Sequence, residues 1–435
     1  MFFTVDELRA YVPEKKTYFV FGFPISHSLS PKLHADFFER SGISADYHAV
    51  CVSKEDLAEA ISIVKGYAEG VNLTIPLKEC VIPLLDEIDE IAEKIGAVNT
   101  LKFENGKIKG YNTDYYGLTK SVDLKGRDIL ILGNGGAAKA FLQASLDLGK
   151  SVTVCGRSLE KVAEFCKNTA AIPKTFDNLE VKDGLIILNA TPLGMGKLID
   201  KIPVGTDIIK KADTIFDSIY NPKKTNLLIL AEIYGKKVIN GLNMLIHQGI
   251  KAQNIWGNYG TCEISTFEDE KKAENIILTG FMGSGKTTVG NFLSEKLGKP
   301  FFDTDSLISD VYNMKISEIF EKHGEEYFRK IETEICRKIS RLNGCIIATG
   351  GGIIKKKENI DALKTGGKIY FINPSFTEIE NRLTDDTTRP LIQDRKNIRK
   401  LYNERIEIYK NTADFIIDAD TSESAISKIS LLNNY

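Results

Sequence analysis

At 435 residues the chain is long enough for about three folding units of roughly 150 residues each. Charged residues make up 27% and hydrophobic ones 43%, an ordinary globular balance, and a net charge of −2 excludes the broad basic field that nucleic-acid partners select. The opening MFFTVDELRAYVPEKK is no signal peptide, no apolar run approaches the roughly 20 residues that span a bilayer, and seven scattered cysteines without a C-x-x-C pair predict reduced thiols, no zinc, no membrane partner and a cytoplasmic location.

In chain order, TYFVFG (17–22), a helix-like segment over PKLHADFFERSG (31–42) and ADYHAVCV (45–52) predict a β-α-β opening. RDILILGNGG (127–136) then feeds AAKAFLQASLDLG, followed by SVTVCGRS (151–158), GLIILNAT (184–191) and TIFDSIY (214–220). This alternation predicts α/β architecture with largely parallel sheets. The pattern stops at the polar run CEISTFEDEKKAEN, and residues 263–274 are expected to form a linker. Beyond it, NIILTGFMGSGKTTVG (275–290) is a strand running into a second glycine-rich loop.

The first glycine loop, Gly133-Asn134-Gly135-Gly136-Ala137, follows a strand and opens a helix, where a dinucleotide pyrophosphate would rest. The next strand ends at Cys155-Gly156-Arg157-Ser158, with Lys161 following. An NAD site usually carries an acid at that strand end for the ribose 2′-hydroxyl. Arginine and lysine there, with no acid, point to the 2′-phosphate of NADP(H).

The second loop fits the P-loop pattern from Gly280, with Gly283, Ser284, Gly285, Lys286, Thr287 and Thr288 around ATP phosphates. Its threonine hydroxyl can ligate Mg²⁺. Asp303 and Asp305 are two apart, so on an extended chain they share a face. One could hold Mg²⁺ while the other accepts a proton from an attacking hydroxyl. Many P-loop proteins place a metal-binding acid at the end of a neighbouring strand, but here GCIIATGGG ends in Gly350-Gly351-Gly352, which leaves Asp303 as the candidate metal ligand beside Thr287.

The motifs GSGKTT, FDTD, GEEYFRKIE (324–332), TGGG, TRPL and RIEIYKNTAD occur in the order and approximate spacing of shikimate kinase, which residues 274–435 resemble. The resemblance implies that Asp305 contacts ring hydroxyls and is the base, that Arg329 and Arg405 clamp the substrate carboxylate, and that Glu332 orients Arg329. Planar guanidinium forks suit that bidentate task. It further implies backbone contacts from Gly351 and Gly352, Arg382 beside adenine, and Arg389 on a lid that closes over the phosphates and excludes water.

Residues 16–257 resemble shikimate dehydrogenase through FPISHSLSPKLH, GVNLTIPLKE, IGAVNTL, GYNTDYYG, GNGGAA, NATPLGM, DSIYNP and NGLNMLIHQ. That resemblance implies Ser28 and Ser30 on the substrate carboxylate; Thr74, Asn99 and Gln248 on ring hydroxyls, with Tyr220 nearby; Gly241 against the cofactor; and Lys78 with Asp114 as the catalytic pair. A hydride reaching a ketone carbon leaves an alkoxide, which an ammonium can stabilise or protonate while a carboxylate positions it. Asn134 stands where the family usually has alanine, and His27, His34 and His247 read as structural or as pocket walls. Trp256 reads as core.

Together the resemblances imply a substrate domain over 1–112, a Rossmann-like NADP domain over 113–240, a returning helix over 241–262 and a P-loop kinase over 275–435. The expected function is NADPH-dependent reduction of 3-dehydroshikimate followed by MgATP-dependent phosphorylation of shikimate, with these small molecules as partners. Quinate as a further dehydrogenase substrate, or another small hydroxylated acid for the kinase, are the alternatives.

Overall fold

The computed structural model describes residues 2–26, 28–262, 273–384 and 395–433. His27, most of the expected linker and Arg389 with its proposed lid lie outside the described residues. The chain forms two compact units, each built around parallel strands.

The first unit comprises Met1–Thr191, Asp207–Lys223 and Lys236–Glu268 and holds two sheets. The first sheet contains β1 (Phe2–Phe3), β2 (Lys16–Gly22), β3 (Ala45–Cys51), β4 (Ala68–Leu73), β5 (Glu87–Ile88), β6 (Thr100–Glu104) and β7 (Lys107–Tyr111), in the order β1-β3-β2-β4-β6-β7-β5. Its β1-β3-β2-β4 portion is parallel, whereas β6 runs antiparallel to β4 and β7. The sequence KTYFVFG explains the central place of β2, since after its first residue every position is buried. Side chains alternate across a strand. Phe19 and Phe21 therefore enter one apolar cluster with Val71 and Leu101, while Tyr18 and Val20 enter another with Leu33, Phe37 and Trp256.

The second sheet is parallel throughout: β8 (Asp128–Leu132), β9 (Ser151–Gly156), β10 (Ile172–Thr175), β11 (Leu185–Asn189), β12 (Ala212–Asp217) and β13 (Lys237–Ile239), ordered β10-β9-β8-β11-β12-β13. Parallel strands covered on both faces read as continuous apolar runs, as DILIL and LIILN do here. The helix Leu242–Ile255 then brings the chain back to the first sheet's core, where Trp256 Nε1 donates to Leu101 O at 2.8 Å.

The second unit comprises Pro192–Thr206, Lys224–Gly235 and Asp269–Tyr435. Its sheet is parallel, in the order β15-β16-β14-β17-β18, with β14 (Asn275–Thr279), β15 (Phe301–Asp303), β16 (Ile346–Ala348), β17 (Gly367–Asn373) and β18 (Phe415–Asp418). The unit divides the chain differently from the sequence boundary at 240, because it also takes in the helix Asn226–Ile233. That helix, NLLILAEI, is apolar on all sides and almost wholly buried. Asn226 anchors it, donating to Asn343 O at 2.9 Å and accepting from Asn343 N at 2.8 Å.

One expectation is corrected. Asp303 ends β15, but Asp305 lies in the first turn of the helix Thr304–Tyr312, so the two do not share an extended face. The cause is Asp303 itself: its side chain accepts from the backbone N–H groups of Asp305 and Ser306, which caps the helix and turns the chain. All seven cysteines are free, and among the described residues no helix is long and apolar enough to cross a membrane.

The chain has one tryptophan, which gives the first unit an optical reporter. A side chain at Gly70 would overlap the Trp256 indole and displace it from Leu101. Gly70→Ala is expected to destabilise the first unit by about 2–4 kcal/mol through overpacking and a lost buried hydrogen bond. Urea denaturation followed by tryptophan fluorescence checks this; an unchanged midpoint would refute it.

Candidate active sites

In the first unit Lys78 follows β4 and Asp114 opens the helix Asp114–Ser121. Lys78 Nζ donates to Asp114 Oδ2 at 2.6 Å, and only 12% and 9% of the two side chains remain exposed. The other carboxylate oxygen, Oδ1, accepts from Asn99 Nδ2 at 2.9 Å. Asn112 Oδ1 accepts from the backbone N–H groups of Asp114 and Tyr115, fixing the helix start, while its amide donates to Ala97 O at 2.8 Å. Asn99 Oδ1 accepts from the N–H of Thr113 at 2.8 Å, and the Thr113 hydroxyl reaches Gln248 Oε1 at 3.2 Å. Four expected site residues, Lys78, Asn99, Asp114 and Gln248, thus share one network.

Ser28 and Ser30 form a second cluster, in which Ser28 Oγ accepts from Ser30 N at 3.3 Å. Burial raises the Tyr220 phenol above its usual value, and the backbone of Leu29 opposes that rise. Thr74 sits at the end of β4 with its N–H on Phe21 O at 2.9 Å; its hydroxyl joins neither cluster among the described residues.

The glycine loop of the same unit suits a dinucleotide. Gly133 has φ +98°, a conformation that disfavours any side chain, and Gly135 caps the helix Gly136–Leu148 with no side-chain bond to its first N–H groups. Those donors and the positive helix end suit a pyrophosphate. A Cβ at Gly136 would lie 3.7 Å from Lys78 Cδ, so the loop and Lys78 are neighbours. Asn134 Oδ1 lies over Gly156 at the end of β9, and its φ is not in the left-handed region. Just beyond, Arg157 and Lys161 are exposed, and Ser158 caps the following helix by accepting from Lys161 N at 3.4 Å. At Gly241 any side chain would collide with the carbonyl of Ser218.

In the second unit the P-loop runs from β14 into the helix Lys286–Leu297, with left-handed φ at Gly283 and Gly285. Lys286 Nζ donates to the carbonyls of Gly280 (3.0 Å) and Phe281 (2.9 Å). Thr287 Oγ1 donates to Asp303 Oδ2 at 2.9 Å, which sets a hydroxyl and a carboxylate side by side as a hard divalent cation requires. The loop opens on a cavity of about 740 Å³ whose lining includes Asp305, Arg329, Glu332, Gly351, Arg382 and Arg405. Thr288 and Gly352 also line it.

Arg329 Nη1 donates to Glu332 Oε2 at 2.8 Å, and Glu325 Oε1 takes its Nε and Nη2. Burial raises the Glu332 carboxyl, with Arg329 pulling against that rise. Burial also acts to lower the Arg329 guanidinium, but its two carboxylates outweigh it. The triple glycine makes room for these groups. A side chain at Gly352 would overlap the Arg329 guanidinium, and one at Gly350 would overlap Asp305. Arg405 Nη1 donates to Gly351 O at 3.2 Å, while its buried Nε has no partner among the described residues. Arg382 donates to Glu378 at 2.8 Å and to the carbonyl of Gly283 in the P-loop at 3.4 Å.

Sequence reading missed several supporting residues. Tyr409 donates to Gly351 O at 2.6 Å, and its ring stacks on Phe371 at 5.0 Å. Thr113 and Asn112 bind the dehydrogenase network together; both lie inside GYNTDYYG, which was their available signal. Asn72, on β4, donates to Asn99 O and Thr100 Oγ1. Only its place in GVNLTIPLKE pointed to it.

Residues 20–101 match the family model of the shikimate dehydrogenase substrate binding domain, and residues 282–432 match that of shikimate kinase. A shikimate dehydrogenase (NADP(+)) of Clostridium beijerinckii is 40% identical over 246 residues, covering 55% of this chain and 91% of the relative. That of Aquifex aeolicus is 37% identical, covering 60% and 98%. Among solved structures, shikimate dehydrogenase 1 of Peptoclostridium difficile is 38% identical with a TM-score of 0.51, covering 58% of this chain and 94% of that one. The shikimate 5-dehydrogenase of Thermus thermophilus, solved with NADP(H) and shikimate, is 32% identical with a TM-score of 0.51, covering 56% and 95%. The chain belongs to the shikimate dehydrogenase family and carries a shikimate kinase domain behind its dehydrogenase half.

Proposed function

We propose that this chain catalyses two consecutive reactions: reduction of 3-dehydroshikimate to shikimate, then phosphorylation of the shikimate 3-hydroxyl. The observation that carries the reading is the buried 2.6 Å Lys78–Asp114 pair, set in an amide network within a shikimate dehydrogenase scaffold. The shikimate kinase domain makes the product of one reaction the substrate of the other. The matched relatives are shikimate dehydrogenases, which does not favour the quinate alternative. Neutral composition and unpaired thiols suit work in the cytoplasm on small molecules.

In the dehydrogenase, NADPH supplies the hydride when bound. Gly133 to Ala137 present backbone N–H groups to its pyrophosphate, Gly241 leaves room beside it, and Arg157, Ser158 and Lys161 meet the 2′-phosphate. Ser28 and Ser30 hold the substrate carboxylate, while Thr74, Asn99 and Gln248 hold ring hydroxyls, with Tyr220 closing the carboxylate side. Lys78 stabilises the developing alkoxide and passes it a proton. Asp114 aims Lys78 through the hydrogen bond it accepts from Nζ.

In the kinase, Mg²⁺ neutralises phosphate charge when bound, and Thr287 with Asp303 would hold it. Gly283 to Thr288 cradle the ATP phosphates, with Lys286 supplying the charge and Arg382 flanking the adenine. Arg329, oriented by Glu332, and Arg405 clamp the shikimate carboxylate against Gly351 and Gly352. Asp305 accepts the proton of the 3-hydroxyl.

Full-length Lys78→Ala is expected to lower kcat for dehydroshikimate reduction by at least ~100-fold while leaving shikimate phosphorylation intact, and Asp305→Asn to do the reverse. Parallel assays of NADPH oxidation and ADP release decide; full activity in either variant overturns that residue's role. Arg157→Ala is expected to raise KM for NADPH about tenfold by removing a charge-assisted hydrogen bond, with little change for NADH. An unchanged NADPH-to-NADH preference would show that Arg157 does not read the phosphate. Asp303→Asn should raise the Mg²⁺ concentration for half-maximal kinase activity about tenfold or more, measured by titration at saturating ATP. An unshifted curve would remove Asp303 from the metal site.

A further inference from the structure

One carbonyl in the second unit holds the arginine assigned to the substrate carboxylate. Gly351 O accepts from Arg405 Nη1 at 3.2 Å and from Tyr409 Oη at 2.6 Å. A carbonyl oxygen has two lone pairs, so these two donors fill it. Both come from the helix Arg395–Thr412, four residues apart and therefore on one face. Their surroundings differ. Arg405 lines the cavity together with Gly351, and its buried Nε has no partner among the described residues. Tyr409 is 1% exposed and is not among the described residues that line the cavity. Its ring lies flat on Phe371 of β17, with centroids 5.0 Å apart and planes 6° apart, and Phe371 is itself buried. Burial pushes the Tyr409 phenol up, so at neutral pH the hydroxyl keeps its proton and stays a donor.

We propose, on the reading of this half as a shikimate kinase, that Tyr409 is a positioning residue: its hydroxyl fixes the Gly351 carbonyl, and that carbonyl sets the Arg405 guanidinium for the substrate carboxylate. Gly351 stands in the middle of three glycines, the residues with the most backbone freedom. A Cβ there would lie 3.5 Å from Tyr409 Oη and 3.7 Å from Gly280 O and Met282 N, so van der Waals packing alone leaves this peptide room to turn. The stacked phenol removes that freedom, because its ring is held and its single proton has the carbonyl as acceptor. Arginine's fork is planar, so a fixed Nη1 also fixes the direction of the N–H groups left for a ligand. The carboxylate is not the reacting group, and its contacts are equal in ground and transition states. Loosening them raises KM and spares kcat.

The test uses the full-length chain, and wild type separates the two possible failures. If wild type releases no ADP in the presence of shikimate, the kinase reading falls and the role of Tyr409 falls with it. If wild type is active, Tyr409→Phe decides the role alone, since it keeps the ring and its stack on Phe371 and removes only the donor. The kinase KM for shikimate is expected to rise roughly five- to tenfold, with kcat within about twofold and KM for ATP unchanged. The dehydrogenase half of the same molecules is the internal control, and its KM for shikimate should not move. Because Tyr409 acts through Arg405, adding Tyr409→Phe to Arg405→Ala should lower kcat/KM for shikimate by less than about twofold further. An unchanged kinase KM for shikimate overturns the proposal, whatever the melting temperature does. So does a fall in kcat at constant KM, an equal rise in KM for ATP, or a double variant in which the two losses multiply. Should Tyr409→Phe not accumulate as soluble protein, Tyr409→Met fills the same slot with a flexible apolar chain and no donor. It must then show the same split between KM and kcat, and a kcat-only effect would reject the role.

Discussion

Asp114 is almost out of water, and burying a carboxylate is costly unless its oxygens are met by donors. Most of the first unit's site follows from that requirement. Oδ2 takes Lys78 and Oδ1 takes Asn99. Asn99 must then be held in turn, which Thr113 and Thr100 do from neighbouring segments. A buried ion pair standing alone is weakly favourable at best, because desolvation offsets its Coulomb attraction. Here uncharged amides complete the shell, so the lysine stays beside its partner without a second cation. The segments that follow β4, precede β6 and lead into the helix Asp114–Ser121 bring those donors to one carboxylate.

The second unit meets a similar demand by removing atoms rather than adding donors. Arg329 is paired to Glu332, a side chain 1% exposed, and the pair needs space against the chain that leaves β16. The run Gly350-Gly351-Gly352 provides it. Two of its positions would otherwise drive side chains into Asp305 and Arg329, and the carbonyl of the third takes both Arg405 and Tyr409. Close backbone approach lets cations and carboxylates converge on one cavity. The same logic governs the P-loop, where left-handed glycines turn backbone donors inward.

Much of this was legible in the sequence because it rests on local rules. The apolar runs of β2 and of the parallel strands and the glycine loops between strand and helix are short-range signals, and the motif residues Lys78, Asn99, Asp114, Arg329 and Arg405 arrive where those elements deliver them. The Asp303–Asp305 spacing misled because capping competes with extension: an aspartate before a helix bonds the turn it starts. Asn72 was legible only as a member of GVNLTIPLKE, since its partner Tyr47 lies on β3 and only the pairing of β2 to β3 and β4 brings their polar ends together.

Asp303 has a consequence of its own. One oxygen holds the first turn of the helix that bears Asp305, and the other meets Thr287 at the phosphate loop. A single carboxylate therefore joins the phosphate loop to the start of the helix that carries Asp305, so that loop and helix are held to each other through one side chain.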